Sequence, residues 1–175
     1  QELLVSLAIA QRSFTNLQRF LELIPIVAAR LVGVEGALLV PFQADGSIWR
    51  DHLQAIPAAS CQDVLRRVAA YEPGLSVGFG TDEDQVSAMD HLVRRLCPGS
   101  ALFATSVVSR GRPRGRLYVF DPSNGLTCTD FQRRHVQMVA DLAGVAIEND
   151  QLLQEARRHE RVDRQLSIGA EIQAQ

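Results

Sequence analysis

The stretch RGRPRGRLYVFDPSNGLTCTDFQRRHVQMVADLAGVAIENDQLL, residues 110–153, changes its period once, and that change decides the fold. It opens on a turn rich in Arg and Gly that leads into GRLYVFD at 115–121, an extended run of aliphatic and aromatic residues. Asp121, Pro122, Asn124 and Gly125 close the strand, and Thr129 with Asp130 supplies a helix cap. From Phe131 the apolar residues recur at helical spacing instead. Phe131, Met138, Leu142, Val145, Leu152 and Ala156 form one stripe, with His135 and Asn149 at the seam positions between them. Such a helix is too long for one globular domain, and beyond Ala156 the run RRHERVDR has little to bury.

Upstream, ALFATSVVS at 101–109 is a second extended segment, set to pair with 115–121 across the Arg-Gly turn. Cys97, Pro98 and Gly99 end a helix that opens on Thr81 and the acidic run Asp82, Glu83, Asp84, with Val86, Met89, Val93 and Leu96 on its buried face. The connector GLSVGFG precedes it. Another amphipathic helix starts at Ser60, with Cys61, Val64, Leu65 and Val68 inward, and ends near Pro73 and Gly74. Gly36 to Phe42 reads as a buried strand, Ala44 to Gly46 as a tight turn, and Ser47 to Ala55 as a second strand. At the N-terminus Leu3, Leu7, Ala10, Phe14, Leu17, Leu21, Ile24, Ala28 and Leu31 alternate spacings of four and three, a coiled-coil seam. Pro25 predicts a kink or break in it, and Ser13 and Thr15 offer a second helix start. The order helix, hairpin, two helices, hairpin, long helix predicts an α+β domain. One antiparallel sheet would have the terminal helices on one face and the middle helices on the other.

The composition narrows the chemistry. The chain has 175 residues, 46% hydrophobic and 22% charged, enough to bury a core without disulfide or metal. The net charge of -2 argues against a nucleic-acid surface. All 18 basic residues are Arg, so Schiff-base, phosphate-loop and general-base lysines are excluded. Cys61, Cys97 and Cys128 form an odd set without a CxxC, which predicts neither a disulfide framework nor a zinc site and fits a reducing cytoplasm. No apolar stretch approaches a membrane span. The chain starts at Gln1 with no leader pattern, and it is expected to be a piece of a longer protein.

Two stretches resemble the GAF domain, a small sensory module of bacterial signalling proteins and phytochromes. One is LQRFLELIPIVAARLVGVEGALLVPFQADG, the helix and first strand; the other is the 110–153 stretch, with its last hairpin, capped Phe and ALAGVAIEN-like helix end. The resemblance covers roughly residues 14–155. It sets 1–13 as a helical extension, 14–155 as the sensory domain and 156–175 as a signalling helix or linker to an output domain. It also implies that the middle, 56–100, builds the ligand pocket. The tail RQLSIGAEIQAQ resembles the helix leading into bacterial metal-dependent serine/threonine phosphatases of the sporulation and stress-response type, which implies a phosphatase as the parent's output.

Known chemistries of the family find few matching residues. The cysteines are followed by Gln62, Pro98 and Thr129 rather than His, so a covalent bilin is not expected, nor is any other cofactor. A cyclic-nucleotide signature of the Asn-Lys-Phe-Asp-Glu type requires the lysine this chain lacks, and the three cysteines match no sulfoxide-reductase arrangement. His91 falls about 200° from the buried face of its helix, a solvated position, and His52, His135 and His159 form no ligand set. Arg110, Arg112, Arg114 and Arg116 are read as a solvated hairpin tip, with an anion-binding loop as the alternative. Gly78 and Gly80 are not followed by GK[ST].

The sequence thus predicts a non-catalytic regulatory domain. Phe79, Met89, Val93 and Phe103 are the candidate contacts for an unknown small-molecule ligand. Leu3, Leu7, Phe14, Leu17, Leu21, Met138, Leu142, Val145, Asn149 and Leu152 are the candidate homodimer seam. One reading is a sensor that relays a signal through its C-terminal helix to an output domain. The other is a ligand-free dimerisation and protein-docking scaffold.

Overall fold

A computed structural model describes residues 2–5, 16–56, 59–70 and 82–174. Residues 2–5 are helical, and Leu3 and Leu4 pack on the core. Helix α1 (Leu17–Val32) begins where Asn16 Oδ1 accepts the Gln18 amide at 2.9 Å, and it ends at Gly33, whose φ of 81° only glycine adopts freely. Strands β1 (Gly36–Pro41) and β2 (Gln54–Ala55), helices α2 (Ala59–Ala70) and α3 (Asp82–Leu96), strands β3 (Ala101–Ser109) and β4 (Arg112–Asp121) and helix α4 (Asp130–Ala174) follow. The α+β order agrees with the sequence reading.

The strands form one antiparallel sheet in the order β2-β1-β4-β3. The central strands β1 and β4 are covered on both faces, which explains their unbroken apolar runs. Their side chains alternate between two cores. Ala37, Leu39, Leu117 and Val119 face α1 and α4, meeting Phe20, Leu21, Ile24, Val136, Val139 and Ile147. Leu38, Val40, Tyr118 and Phe120 face the other way, onto Val68 of α2 and Met89, Leu92 and Val93 of α3. The expected division of terminal and middle helices between the two faces is therefore observed.

Three local expectations are corrected. First, α1 runs unbroken through the buried Pro25, so no break occurs there. Second, the expected strand at 47–55 shrinks to the two residues of β2. Asp45 ties the turn by accepting from the Ser47 amide and hydroxyl, Phe42 and Ile48 form an isolated bridge, and the polar Arg50–His52 then coil into a 3₁₀ turn. Third, the hairpin tip is only Arg110 and Gly111, with φ of 52° and 72°. Positive φ at both central residues matches the right-handed twist of the flanking strands, so β4 starts at Arg112 rather than 115.

Helix α4 begins in a reciprocal cap. The Thr129 hydroxyl accepts from the Gln132 amide at 3.1 Å, and the Gln132 side chain accepts from the Thr129 amide at 3.0 Å. Gly144 lets the helix approach β3, because a Cβ there would lie 2.7 Å from the Val108 carbonyl oxygen. With 45 residues the helix is about 67 Å long at 1.5 Å per residue, and side chains from Leu152 to Ile168 are exposed. It leaves the domain after Gln151.

Candidate functional site

Of the expected ligand contacts that are described, Met89 and Val93 lie together and Phe103 does not join them. Met89 and Val93 are buried side chains of the core under α2 and α3. Phe103 lies on the opposite face of the sheet, packed toward α1 and α4, with the Arg133 guanidinium 5.3 Å from its ring centre. The strand alternation of β3 puts Leu102 and Ala104, not Phe103, on the Met89 side. Phe79 lies outside the described residues.

Beside Met89 the layer holds a polar cluster instead. Arg116 donates from Nε and Nη2 to the two carboxylate oxygens of Asp90, at 3.0 and 2.8 Å, and from Nη1 to Ser106 Oγ at 2.8 Å. The Tyr118 hydroxyl donates to Asp90 Oδ1 at 2.6 Å. Burial and the Asp90 carboxylate push the Tyr118 phenol far above its ordinary range. Burial alone would lower the Arg116 guanidinium, but its hydrogen bonds and charge contact with Asp90 outweigh that and raise it. The cluster is a fixed, fully paired cation and anion, suited to holding α3 on the sheet. Among the described residues no group of three or more His, Cys, Asp or Glu side chains is placed to hold a metal.

A second polar cluster clasps α4 where it leaves the domain. Glu148 is buried, accepts from the Ser109 hydroxyl, and pairs with Arg110 at 3.0 Å and Arg114 at 3.9 Å. Arg114 Nη1 donates to Gln151 Oε1 at 2.6 Å, and Gln151 Nε2 donates to the Phe42 carbonyl at 3.2 Å. The β3–β4 register slips between Val107 and Val108, where Gly115 pairs with Val107 and Pro113 with Val108. Arg114 is the extra residue, re-aimed by this bulge toward α4. The solvated-tip reading is thus corrected for two arginines: Arg114 and Arg116 are largely buried in ion pairs, and only Arg110 and Arg112 are exposed. Pro113 and Gly115 flanking Arg114 were the available bulge signal.

The expected seam divides in two. Leu21 is wholly inside the domain's own core, so it is corrected from seam to core, and Leu3, Leu17 and Leu142 are partly covered by that core. Leu7 and Phe14 lie outside the described residues. Phe131, Met138, Val145 and Leu152, seven residues apart, are exposed at 64%, 51%, 41% and 44% on the side of α4 turned away from the sheet. Asn149 is exposed beside them. His91 is exposed, and His135 Nδ1 donates to the Phe131 carbonyl at 2.7 Å.

No family model matches the sequence, and no curated protein matches it. Solved structures do match. A crystal structure of a methyl-accepting chemotaxis protein, residues 122 to 287, is 14% identical and superposes with a TM-score of 0.50 over 84% of this chain and 98% of its own. The bacteriophytochrome RpBphP3 from the photosynthetic bacterium R. palustris is 13% identical, with a TM-score of 0.56 over 94% of this chain and 40% of its own. No helix among the described residues is long and apolar enough to cross a membrane. The chain therefore has an α+β, GAF-like fold, a four-stranded antiparallel sheet flanked by helices, similar to these two solved structures.

Proposed function

We propose that this chain is a non-catalytic sensory and regulatory domain that dimerises along α4 and relays a signal through it to an output domain. The exposed seven-residue stripe of Phe131, Met138, Val145 and Leu152 carries this reading. The opposite face of the same helix is locked to the sheet through Val136, Val139 and Ile147, so the stripe is free for a second copy. Burying such a side chain completely contributes about 1.5–3 kcal/mol, and these four still have about half of their surface to bury. Beyond the domain the stripe continues at Leu166, with His159 between, which suits residues 156–175 to a signalling helix. The likeness to a chemotaxis protein and a phytochrome supports a sensory role. The resemblance of RQLSIGAEIQAQ favours a serine/threonine phosphatase as the output. Replacing Met138 and Val145 with Asp tests the seam by light scattering. The pair should separate to the 19.3 kDa single chain with its circular dichroism unchanged, whereas an unchanged mass contradicts the seam.

The scaffold reading has its own support, since Met89 and Val93 are buried as core among the described residues. Ligand screening by thermal shift separates the two. A ligand at 100 times its Kd stabilises by about 2.7 kcal/mol, and consistent absence of any shift favours the scaffold.

A further inference from the structure

We propose that the groove where α4 leaves the domain binds a small molecule bearing a multivalent oxyanion. The groove has a volume of about 710 Å³, within the usual size of small-molecule sites, and lies on the α4 side of the sheet, away from Met89 and Val93. Arg112 and Arg114 of β4 form one side, Arg158 and Arg161 of the projecting helix the other, and Trp49 borders them. Glu148 and Glu155 also line it. Glu148 is already taken by Arg110, Arg114 and Ser109, and Glu155 lies 3.8 Å from His159 Nε2. Arg112, Arg158 and Arg161 are in no ion pair among the described residues, while the buried Nε of Arg114 has no acceptor there.

Four guanidinium groups against two carboxylates leave an excess of two positive charges in one concavity. Like charges gathered this way repel, and an anion of charge two or more between them removes that repulsion. Guanidinium forks match phosphate and carboxylate oxygens bidentately, which makes an oxyanion the fitting ligand. Because two arginines stand on the sheet and two on the helix beyond Gln151, the bound anion would tie the projecting helix to the domain at the point where it leaves. All four arginines belong to one copy, while Leu152 of the exposed stripe borders the same groove.

Calorimetric titration of the intact chain with pyrophosphate and with citrate, at about 0.15 M salt, tests this. At least one should bind one-to-one with a submillimolar Kd, and the tighter of the two tells a phosphate ligand from a polycarboxylate. Arg112→Gln combined with Arg158→Gln, both exposed and therefore tolerated by the fold, should weaken binding about tenfold or more. Arg94→Gln with Arg95→Gln, exposed on α3, should leave it unchanged. Lack of binding by both probes, or equal weakening in the two double variants, overturns the proposal.

Discussion

Replacing Asp90 with Asn leaves the shape of the α3 cluster intact and removes its charge. The amide turns an N–H₂ toward Arg116 where a carboxylate oxygen accepted at 2.8 Å, so two donors meet, while Oδ1 still accepts from Tyr118. Breaking one side of a fully buried ion pair costs about 3–5 kcal/mol. Here the side chains of Arg116 and Asp90 are 14% and 20% exposed, so partial solvation reduces the expected loss to about 2–4 kcal/mol. For a domain of this size that lowers Tm by roughly 5–15 °C. Urea unfolding followed by circular dichroism reads the loss as a fall in midpoint with an unchanged slope. Asp90→Asn combined with Arg116→Met should recover part of it, because the uncompensated cation is then gone. A loss below about 0.5 kcal/mol for Asp90→Asn, or no recovery in the double variant, refutes the claim that this pair holds α3 on the sheet.

Other outcomes follow from single contacts. Gly144→Ala should destabilise the domain by about 1–2 kcal/mol in urea unfolding despite Ala's helix propensity, because its Cβ meets the Val108 backbone; Gly169→Ala, with nothing within 4 Å, should raise helix content on circular dichroism without moving the midpoint. Burial lowers the His52 pKa below 6.5, where its neutral ring bonds Gln18 Oε1 at 2.6 Å. The unfolded chain then takes up the proton first, so the His52 contribution is present above pH 6.5 and is lost as pH falls through the folded pKa. Urea midpoints of His52→Gln across that window should show a shallower acid loss than the parent's. Asn149→Leu should tighten the dimer about tenfold or more in sedimentation equilibrium, since burying a leucine contributes about 1.5–3 kcal/mol; unchanged affinity contradicts its place at the seam.

Periodicity located most of the fold because each central element obeys one rule along its length. In β1 and β4 successive residues alternate between two cores, and in α4 one face reaches the sheet while another stays exposed. The misread places are those where one residue breaks its element's rule. The slip at Val107 and Val108 turns Arg114 to the helix, so a cluster of arginines that reads as one loop splits among a turn, a bulge and a buried pair. Leu21 fits a coiled-coil spacing and an amphipathic one equally well, and only the presence of the sheet decides between them. Phe103 falls to the other face because β3 alternates, with Leu102 and Ala104 on the Met89 side. Asp90 gave no signal, because its partners Arg116 and Tyr118 are distant in sequence and the β4 pairing had to exist before they could meet it.

Sedimentation equilibrium of the intact chain over a wide concentration range, beside a chain trimmed to residues 14–155, tests the central claim that α4 is a dimer seam. The account predicts a mass approaching twice 19.3 kDa for the intact chain and a weaker dimer after trimming. A single-chain mass for both at every concentration contradicts it.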